Sequence, residues 1–511
     1  MTDMTVDHDA PDPTEWLPRL DRANAAAGHT GADGQTGKGK PVYLAIADAI
    51  AEDVRAGRLV PGQRLPPQRA LAARIGLDFT TVSRAYGEAR RRGLVDAHVG
   101  QGTFVRAAAP PPPLAALVRP VAEPRGNDRP FIDMTMNQPP IPDHPALLDA
   151  LRRSAADAVL GLEAGRFLRY PDNSGGDGAA ADKAAALRWL HPRLPGVTAE
   201  RLILCPGTQG ALLALLTLLT RPGDTVIAEA MTYPGFKAAA RQLGLTVIGA
   251  PMDADGLDPD ALRPLIERHR PALLYCMPTL HNPTATTLPL NRRRALAALL
   301  RDQALFAIED DIYGPLLSDG ATDDGPPPLA ALAPDRVFHI HGLAKCLSPA
   351  LRVAYVVAPD ARQALRVTGA LRATTLMASP LTTAIATRWI GEGLADRLRD
   401  ALRDEARARQ SLAAAALPPG CFVADPQGFH LWLTVPPPWT RGEFATHLRT
   451  RGIAAVVSDT FAAGDTAPGE AVPEALRVCL GAAANRAECR WVLSVIAEAL
   501  EQSPALAGVI V

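Results

Sequence analysis

Short apolar runs alternate with longer segments whose apolar positions recur at helical spacing through most of the chain. Seven of the short runs read as strands: LILC at 202–205, TVIAE at 225–229, TVIG at 246–249, ALLYC at 272–276, LFAIED at 305–310, VFHI at 337–340 and VAYVV at 353–357. Most are apolar at every position rather than at alternate ones, the pattern of strands whose two faces are both covered by helices in a mainly parallel sheet. The segments between them are rich in Ala, Leu and Arg at helical spacing, so the chain from about residue 131 to 511 predicts an α/β layout. After about residue 365 long helices give way to separated short strands, HLWLTV and LRVCL, which predicts a smaller C-terminal α+β subdomain from about 366.

The first part of the chain has a different pattern. Residues 43–56, YLAIADAIAEDVRA, carry apolar positions at helical spacing. Beyond them PQRALAARI reads as one helix, GLD as a tight turn with Asp78 as its N-cap, and FTTVSRAYGEARRRG as a second helix. LVDAHVGQGTFV then reads as a hairpin with glycines at its tip. Two short helices joined by a glycine-containing turn predict a helix-turn-helix, whose second helix can enter a major groove. Residues 1–40 are rich in Asp, Gly, Thr and Ala without periodicity and predict a flexible tail. At 107–130, AAAPPPPLAALVRPVAEPRGNDRP predicts a proline-rich, semi-extended linker between a unit of 41–106 and one of 131–511.

A length of 511 residues, with 47% hydrophobic and 21% charged residues, fits a soluble chain of about three domains. The net charge of −1 excludes a globally basic nucleic-acid binder, so charge matters only locally. From 55 to 106 ten arginines face only Asp78, Glu88 and Asp96, an excess of seven positive charges that favours phosphate contacts. The long apolar segment LILCPGTQGALLALLTLLT is broken by Pro206, Gly207 and Gln209, so no membrane span is expected. The acidic start, MTDMTVDHDAPDPTEW, has no apolar h-region, and a cytoplasmic location is expected. Six cysteines are scattered without a CxxC pair or zinc spacing, which predicts reduced thiols and no metal site.

Candidate chemistry centres on FHIHGLAKCLSPALRVAYVV, residues 338–357. Of the 53 lysines and arginines only five are lysines, namely Lys38, Lys40, Lys183, Lys237 and Lys345. An amine can lose its proton and attack a carbonyl, whereas a guanidinium stays charged, and this singles out Lys345. An aldehyde cofactor held there as a Schiff base needs further partners, and each has a candidate. IEDDIY places Asp310 to hold a ring nitrogen protonated, with Tyr313 three residues on. HNPT offers Asn282 to a phenolic oxygen, and TYPG offers Tyr233 to stack on the ring. GTQGAL opens a helix directly after a strand, so Gly207, Thr208 and Gln209 can present N–H groups and a hydroxyl to phosphate, with Arg352 as a fixed cation. Singly, each of these also fits a surface lysine, a cap or a turn. Jointly they stand at the carboxyl ends of successive strands, where α/β sheets bind ligands, and the set is that of a pyridoxal 5'-phosphate site. His339 and His341 flank the same strand end and read as packed histidines, with His341 also weighed as a phosphate donor.

These residues carry two resemblances. GRLVPGQRLPPQRALAARIGLDFTTVSRAYGEARRRGLV, followed by GQGTFV, resembles the winged helix-turn-helix of GntR-type bacterial regulators. The resemblance implies that Arg69, Thr80 and Thr81 lie at operator DNA with Gly100 and Gln101 at the wing tip, and Arg84 is a further candidate. Phe79 departs from the pattern, standing where many relatives carry arginine; it can meet a thymine methyl but cannot hydrogen-bond guanine. From 131 to 511 the order of motifs resembles fold-type I pyridoxal-phosphate enzymes of the aminotransferase class. That resemblance implies two more roles: Tyr170 reaching the phosphate of a partner subunit, and Arg477 binding a substrate α-carboxylate. Here too there are departures. Ala344 and Gly342 replace two serines near the lysine, and Ala285 replaces a glycine after HNPT.

The combination resembles the MocR-type branch of GntR regulators. It implies a homodimeric transcription factor that binds double-stranded DNA and senses an amino-acid-like amine, or pyridoxal phosphate itself, through aldimine chemistry at Lys345. The alternative is a working aminotransferase, with Lys345, Asp310 and Tyr233 as catalytic residues and the head as an accessory.

Overall fold

The computed structural model describes residues 16–18, 41–98, 102–106, 131–170, 177–317, 325–464 and 472–504. The chain divides into two compact units, 1–125 and 126–511.

In the first unit α1 (Val42–Arg55), α2 (Gln68–Ile75) and α3 (Phe79–Arg91) are followed by β1 (Val95–His98) and β2 (Gly102–Val105), paired antiparallel with Val95 opposite Val105. The apolar stripes of all three helices close on one core that includes Ile46, Ile50, Leu71, Val82, Tyr86 and Val95. Gly76 ends α2 at φ +69, a left-handed cap that glycine adopts without steric cost. Two residues later Asp78 accepts the Thr80 N–H at 2.8 Å and starts α3, as the turn predicted. Within the segment read as a tail, the Trp16 indole donates to Asp53 at 2.7 Å and packs on the same core. The expected wing-tip residues Gly100 and Gln101, and the linker 107–130, lie outside the described residues.

In the second unit each of the seven apolar runs forms a strand. With β3 being Ile132–Asp133, they are β4 (Leu202–Cys205), β5 (Thr225–Glu229), β6 (Thr246–Ala250), β7 (Leu273–Cys276), β8 (Phe306–Asp310), β9 (Val337–Gly342) and β10 (Ala354–Val357). They make one sheet in the order β4-β10-β9-β8-β7-β5-β6. Only β10 runs antiparallel to its neighbours, so the sheet is mainly parallel. β8 and β9 are buried at nearly every position, the consequence of helices on both faces. Two of those helices frame the site: α4 (Gly207–Leu219) starts two residues after β4, and α5 (Pro234–Gln242) starts five after β5.

Three further helices follow, α6 (Ala361–Thr374), α7 (Pro380–Gly391) and α8 (Leu394–Ala416). The last strands are β11 (Phe422–Ala424), β12 (His430–Thr434), β13 (Ile453–Ala454), β14 (Val456–Val457) and β15 (Ala475–Cys479), with α9 (Arg486–Glu501) behind them. An antiparallel sheet β11-β12-β15-β14 forms a second core, and β3 pairs in parallel with β13 at its side. The start expected near residue 366 falls inside α6. That helix and α7 bury Val367, Leu371 and Ile390 in the first core, and α8 passes from the first core at Leu398 to the second at Ala413. Ile132 and Met134, far away in sequence, belong to the second core.

Candidate functional site

The sheet brings most of the predicted residues together at the carboxyl ends of its parallel strands. Lys345 follows the end of β9 by three residues and is half-buried; partial burial pulls its ammonium down to about 8. Its amine donates to the Asn137 carbonyl. Asp310, the last residue of β8, is buried, and burial pushes its carboxyl up to about 7 against the opposing hydrogen bond of Tyr275. The Tyr275 hydroxyl donates to Asp310 Oδ2 at 3.1 Å, while Oδ1 has no partner. Tyr313 lies buried beside it, its hydroxyl accepting from Asn137 Nδ2 at 2.8 Å. Asn282 accepts from Arg477 Nη1 at 2.7 Å, and Arg477 Nη2 donates to the Thr135 carbonyl. The Phe461 ring lies 5.0 Å from the Arg477 guanidinium and holds it in place. Tyr233 caps α5, and Gln209 donates to its hydroxyl at 3.3 Å.

The expected cradle for a phosphate is built from the start of α4 and from Arg352. Gly207 sits at φ +78, and a Cβ there would come within 3.2 Å of the Arg352 guanidinium, so the glycine is needed for both backbone and space. Arg352 itself holds φ +50, a left-handed conformation uncommon for a non-glycine residue. Thr208 Oγ1 is buried without a partner. A Cβ at Gly342 would overlap that hydroxyl, so the missing serine at 342 and the threonine at 208 occupy the same space. The fit to pyridoxal phosphate rests on these observations: an orphaned hydroxyl and first-turn N–H groups beside a guanidinium, and a carboxylate with one unpartnered oxygen on the strand paired with the one that leads to the amine. Ala285 holds φ +60, so the departure from glycine costs roughly 1–2 kcal/mol of backbone strain.

Tyr170 is not brought to this site within one chain. It is 74% exposed, beside exposed Phe167 and Leu168. His341 is packed rather than donating to phosphate: its Nε2 accepts from the Trp189 indole at 2.9 Å, its ring lies parallel to Tyr355, and burial pushes its pKa down to about 3. His339 is fixed by Glu309 at 3.0 Å. Asp311, His339 and His341 bring ligand-type atoms within 4.8 Å of one another, but Arg193 already holds Asp311 at 3.0 Å. Because His341 Nε2 accepts a hydrogen bond from the Trp189 indole, the ring proton sits on Nδ1, which is not a ligand.

Sequence reasoning missed three residues. Tyr275 was hidden inside an apolar run whose alternation gave no sign of a polar tip. Asn137, in TMNQPP, comes from the start of the unit. His430, which lies 3.3 Å from Asn137 Nδ2, opens a strand of the second core. The pairing that brings them together is long-range, and only the pair of prolines after Gln138 hinted at a fixed backbone there.

On the first unit, the exposed start of α3 carries Phe79 with the Arg69 guanidinium 5.6 Å from its ring. The Thr80 side chain is exposed and also bonds the Asp78 carboxylate, and Thr81 is half-buried. Arg84 lies 4.5 Å over the Tyr43 ring of α1. The predicted charge excess is smaller than the window 55–106 implied. Arg91 and Arg92 are held by Glu88, Arg106 by Asp96, and Arg58 and Arg92 by Asp53 and Asp48, which lie outside that window. Counting from 41, with Glu52 included, the excess is four.

Comparison with known proteins gives both units a counterpart. Residues 129–496 match the aminotransferase class I and II family, and residues 42–105 the gntR family of bacterial regulatory proteins. Uncharacterized HTH-type transcriptional regulator YdeF of Bacillus subtilis is 28% identical over 465 residues, covering 90% of this chain and 92% of its own. HTH-type transcriptional regulator TauR of Rhodobacter capsulatus is 30% identical over 434 residues, covering 80% and 87%. Among solved structures, LysN, an α-aminoadipate aminotransferase of Thermus thermophilus, superposes with a TM-score of 0.62 at 24% identity, covering 73% of this chain and 92% of its own, and shares the fold.

Proposed function

The chain belongs to the aminotransferase class I and II family over residues 129–496 and to the gntR family of bacterial regulatory proteins at its head, the pairing of MocR-type regulators, and from this premise we propose a transcriptional regulator governed by pyridoxal phosphate chemistry. When bound, the cofactor supplies an aldehyde that an amine can engage covalently and a ring that withdraws electrons from that amine. Lys345, with its amine down at about 8, becomes a neutral nucleophile at a pH well below that of an ordinary lysine. Asp310 holds the ring nitrogen, Asn282 and Tyr313 face the phenolic oxygen, and Tyr233 lies against the ring. Gly207, Thr208, Gln209 and Arg352 hold the phosphate. Arg477 takes the carboxylate of an amino-acid-like effector.

One observation carries this reading: a half-buried lysine and a buried carboxylate, each shifted toward neutrality, stand at the carboxyl ends of two paired strands in a body attached to a DNA-reading fold. The effector must bind one state of the protein better than another, otherwise DNA affinity does not change. Exposed Phe167, Leu168 and Tyr170 fit a second copy of the chain, which makes the regulator a homodimer with Tyr170 reaching the partner's phosphate. Arg69, Phe79, Thr80 and Thr81, at the exposed start of α3 and beside it, face operator DNA.

The test is the visible absorbance of purified protein with pyridoxal phosphate, followed by borohydride and peptide mapping. A band that borohydride abolishes, with the label on Lys345, is expected; a colourless protein, or label elsewhere, rejects the reading. A second reading, an aminotransferase with an accessory head, is favoured by the completeness of the Lys345, Asp310 and Arg477 set. Steady-state amino transfer at about 1 per second or faster would support it.

A further inference from the structure

The segment from Met134 to Gln138 touches Arg477, Lys345, Tyr313 and His430. The Thr135 carbonyl accepts from Arg477, and the Asn137 carbonyl from Lys345. The Asn137 amide donates to Tyr313 at 2.8 Å and lies 3.3 Å from His430, while its own Oδ1 is buried without a partner. The rest of the segment is fixed to the second core. The Cys479 N–H reaches the Met134 carbonyl at 3.2 Å, and the Gln138 carbonyl sits so close to Gly481 that a Cβ there would overlap it. Just ahead lies β3, and ahead of β3 the chain enters from the linker that leads to the head.

We propose that residues 134–138 are the element that reports occupancy of the Lys345 site to the linker. This rests on the regulator reading above. The guanidinium that an amino acid's carboxylate requires and the amine that the cofactor's aldehyde requires are both donors to this segment's carbonyls. A carboxylate can pair with a guanidinium through two parallel charge-assisted bonds, which a single neutral carbonyl cannot match, so a bound effector takes Arg477 from Thr135. A lysine engaged at the cofactor no longer donates to Asn137. Cofactor capture thus removes the donor of the Asn137 carbonyl and effector binding that of the Thr135 carbonyl; the second loss disfavours the seating seen here, and the shift is delivered to β3. The segment is thus a competitor of the ligand and the start of the path to the head.

Hydrogen–deuterium exchange on the full chain tests this with two probes. Pyridoxamine 5'-phosphate fills the cofactor site without a carboxylate; N-(5'-phosphopyridoxyl)-L-alanine adds one. At saturation the second probe is expected to speed exchange in a peptide spanning 131–140 at least threefold over the first, and equal rates would overturn the proposal. A second arm uses Gly481→Ala, which wedges the segment away without touching the site. It is expected to retain the visible band with pyridoxal phosphate while its change in DNA affinity on adding the adduct falls below twofold; a response equal to wild type overturns the proposal. If the variant does not fold, the exchange experiment decides alone. The two readings fail differently. Wild-type DNA affinity that responds while the peptide stays silent removes only the coupling role, whereas a peptide that responds with DNA affinity unmoved removes the regulator reading and the coupling with it.

Discussion

Lys345 and Asp310 show how burial shifts two titratable side chains toward neutrality. Burial lowers the amine to about 8 from an ordinary 10.5 and raises the carboxyl to about 7 from 3.8. The signs give a testable profile. Between about pH 8 and 10.5 the unfolded chain holds the Lys345 proton that the folded chain has lost, so this group makes stability rise with pH there. Between about 4 and 7 the folded chain holds the Asp310 proton that the unfolded chain has lost, so stability falls as pH rises through that range. Cofactor capture needs a neutral lysine and an ionised aspartate, so the rate at which the visible band appears should climb steeply from pH 6 and level off above about 8. Stopped-flow absorbance measures it, and a rate that falls from pH 6 to 8 would contradict the assignment. Gly342 supplies a second expectation. Restoring a serine there adds a side chain in the space of Thr208 Oγ1, so Gly342→Ser should weaken cofactor binding about tenfold rather than strengthen it, as read by absorbance titration. The lysine, the aspartate and Asn282 were legible because the chemistry demands their residue types at strand ends. Tyr275 and Asn137 were not, because one lies inside an apolar run and the other is brought in by a contact across 208 residues.

Among the elements, the strands of the large sheet were the most legible, since burial on both faces forces near-continuous apolar runs with sharp ends. The small subdomain was less so: β3 and β13 are two residues each, and their pairing joins Ile132 to Ile453, which no local pattern reveals. In the head, the turn chemistry at Gly76 and Asp78 fixed α3 from sequence. The side chains on α3 and α2 divide into two roles that the sequence left merged. Arg84 stacks on Tyr43, so Arg84→Ala should lower the stability of the head by about 0.5–1 kcal/mol in thermal unfolding. Arg69 stacks on exposed Phe79 at the start of the helix, so Arg69→Ala should leave stability nearly unchanged and weaken DNA binding. The slope of log affinity against log salt should fall by about one if Arg69 meets a phosphate. An unchanged slope and affinity would move Arg69 off the DNA face.

For the molecule as a whole, the two units carry separate chemistries, and function requires that one answer to the other. Among the described residues no helix is long and apolar enough to cross a membrane. The exposed strip at Phe167, Leu168 and Tyr170 should be covered in a dimer, and a charge there, Leu168→Asp, should shift the protein toward monomer in sedimentation and weaken cofactor retention with it. The central claim is that chemistry at Lys345 sets the affinity of the head for DNA. Its most direct test is a binding isotherm on a DNA fragment selected by the protein from a random pool, for wild type and Lys345→Ala, each with and without pyridoxal phosphate. The wild-type midpoint should move at least fivefold on adding the cofactor and the variant's by less than twofold. A wild-type midpoint that stays fixed, or a variant that responds as fully as wild type, would contradict it.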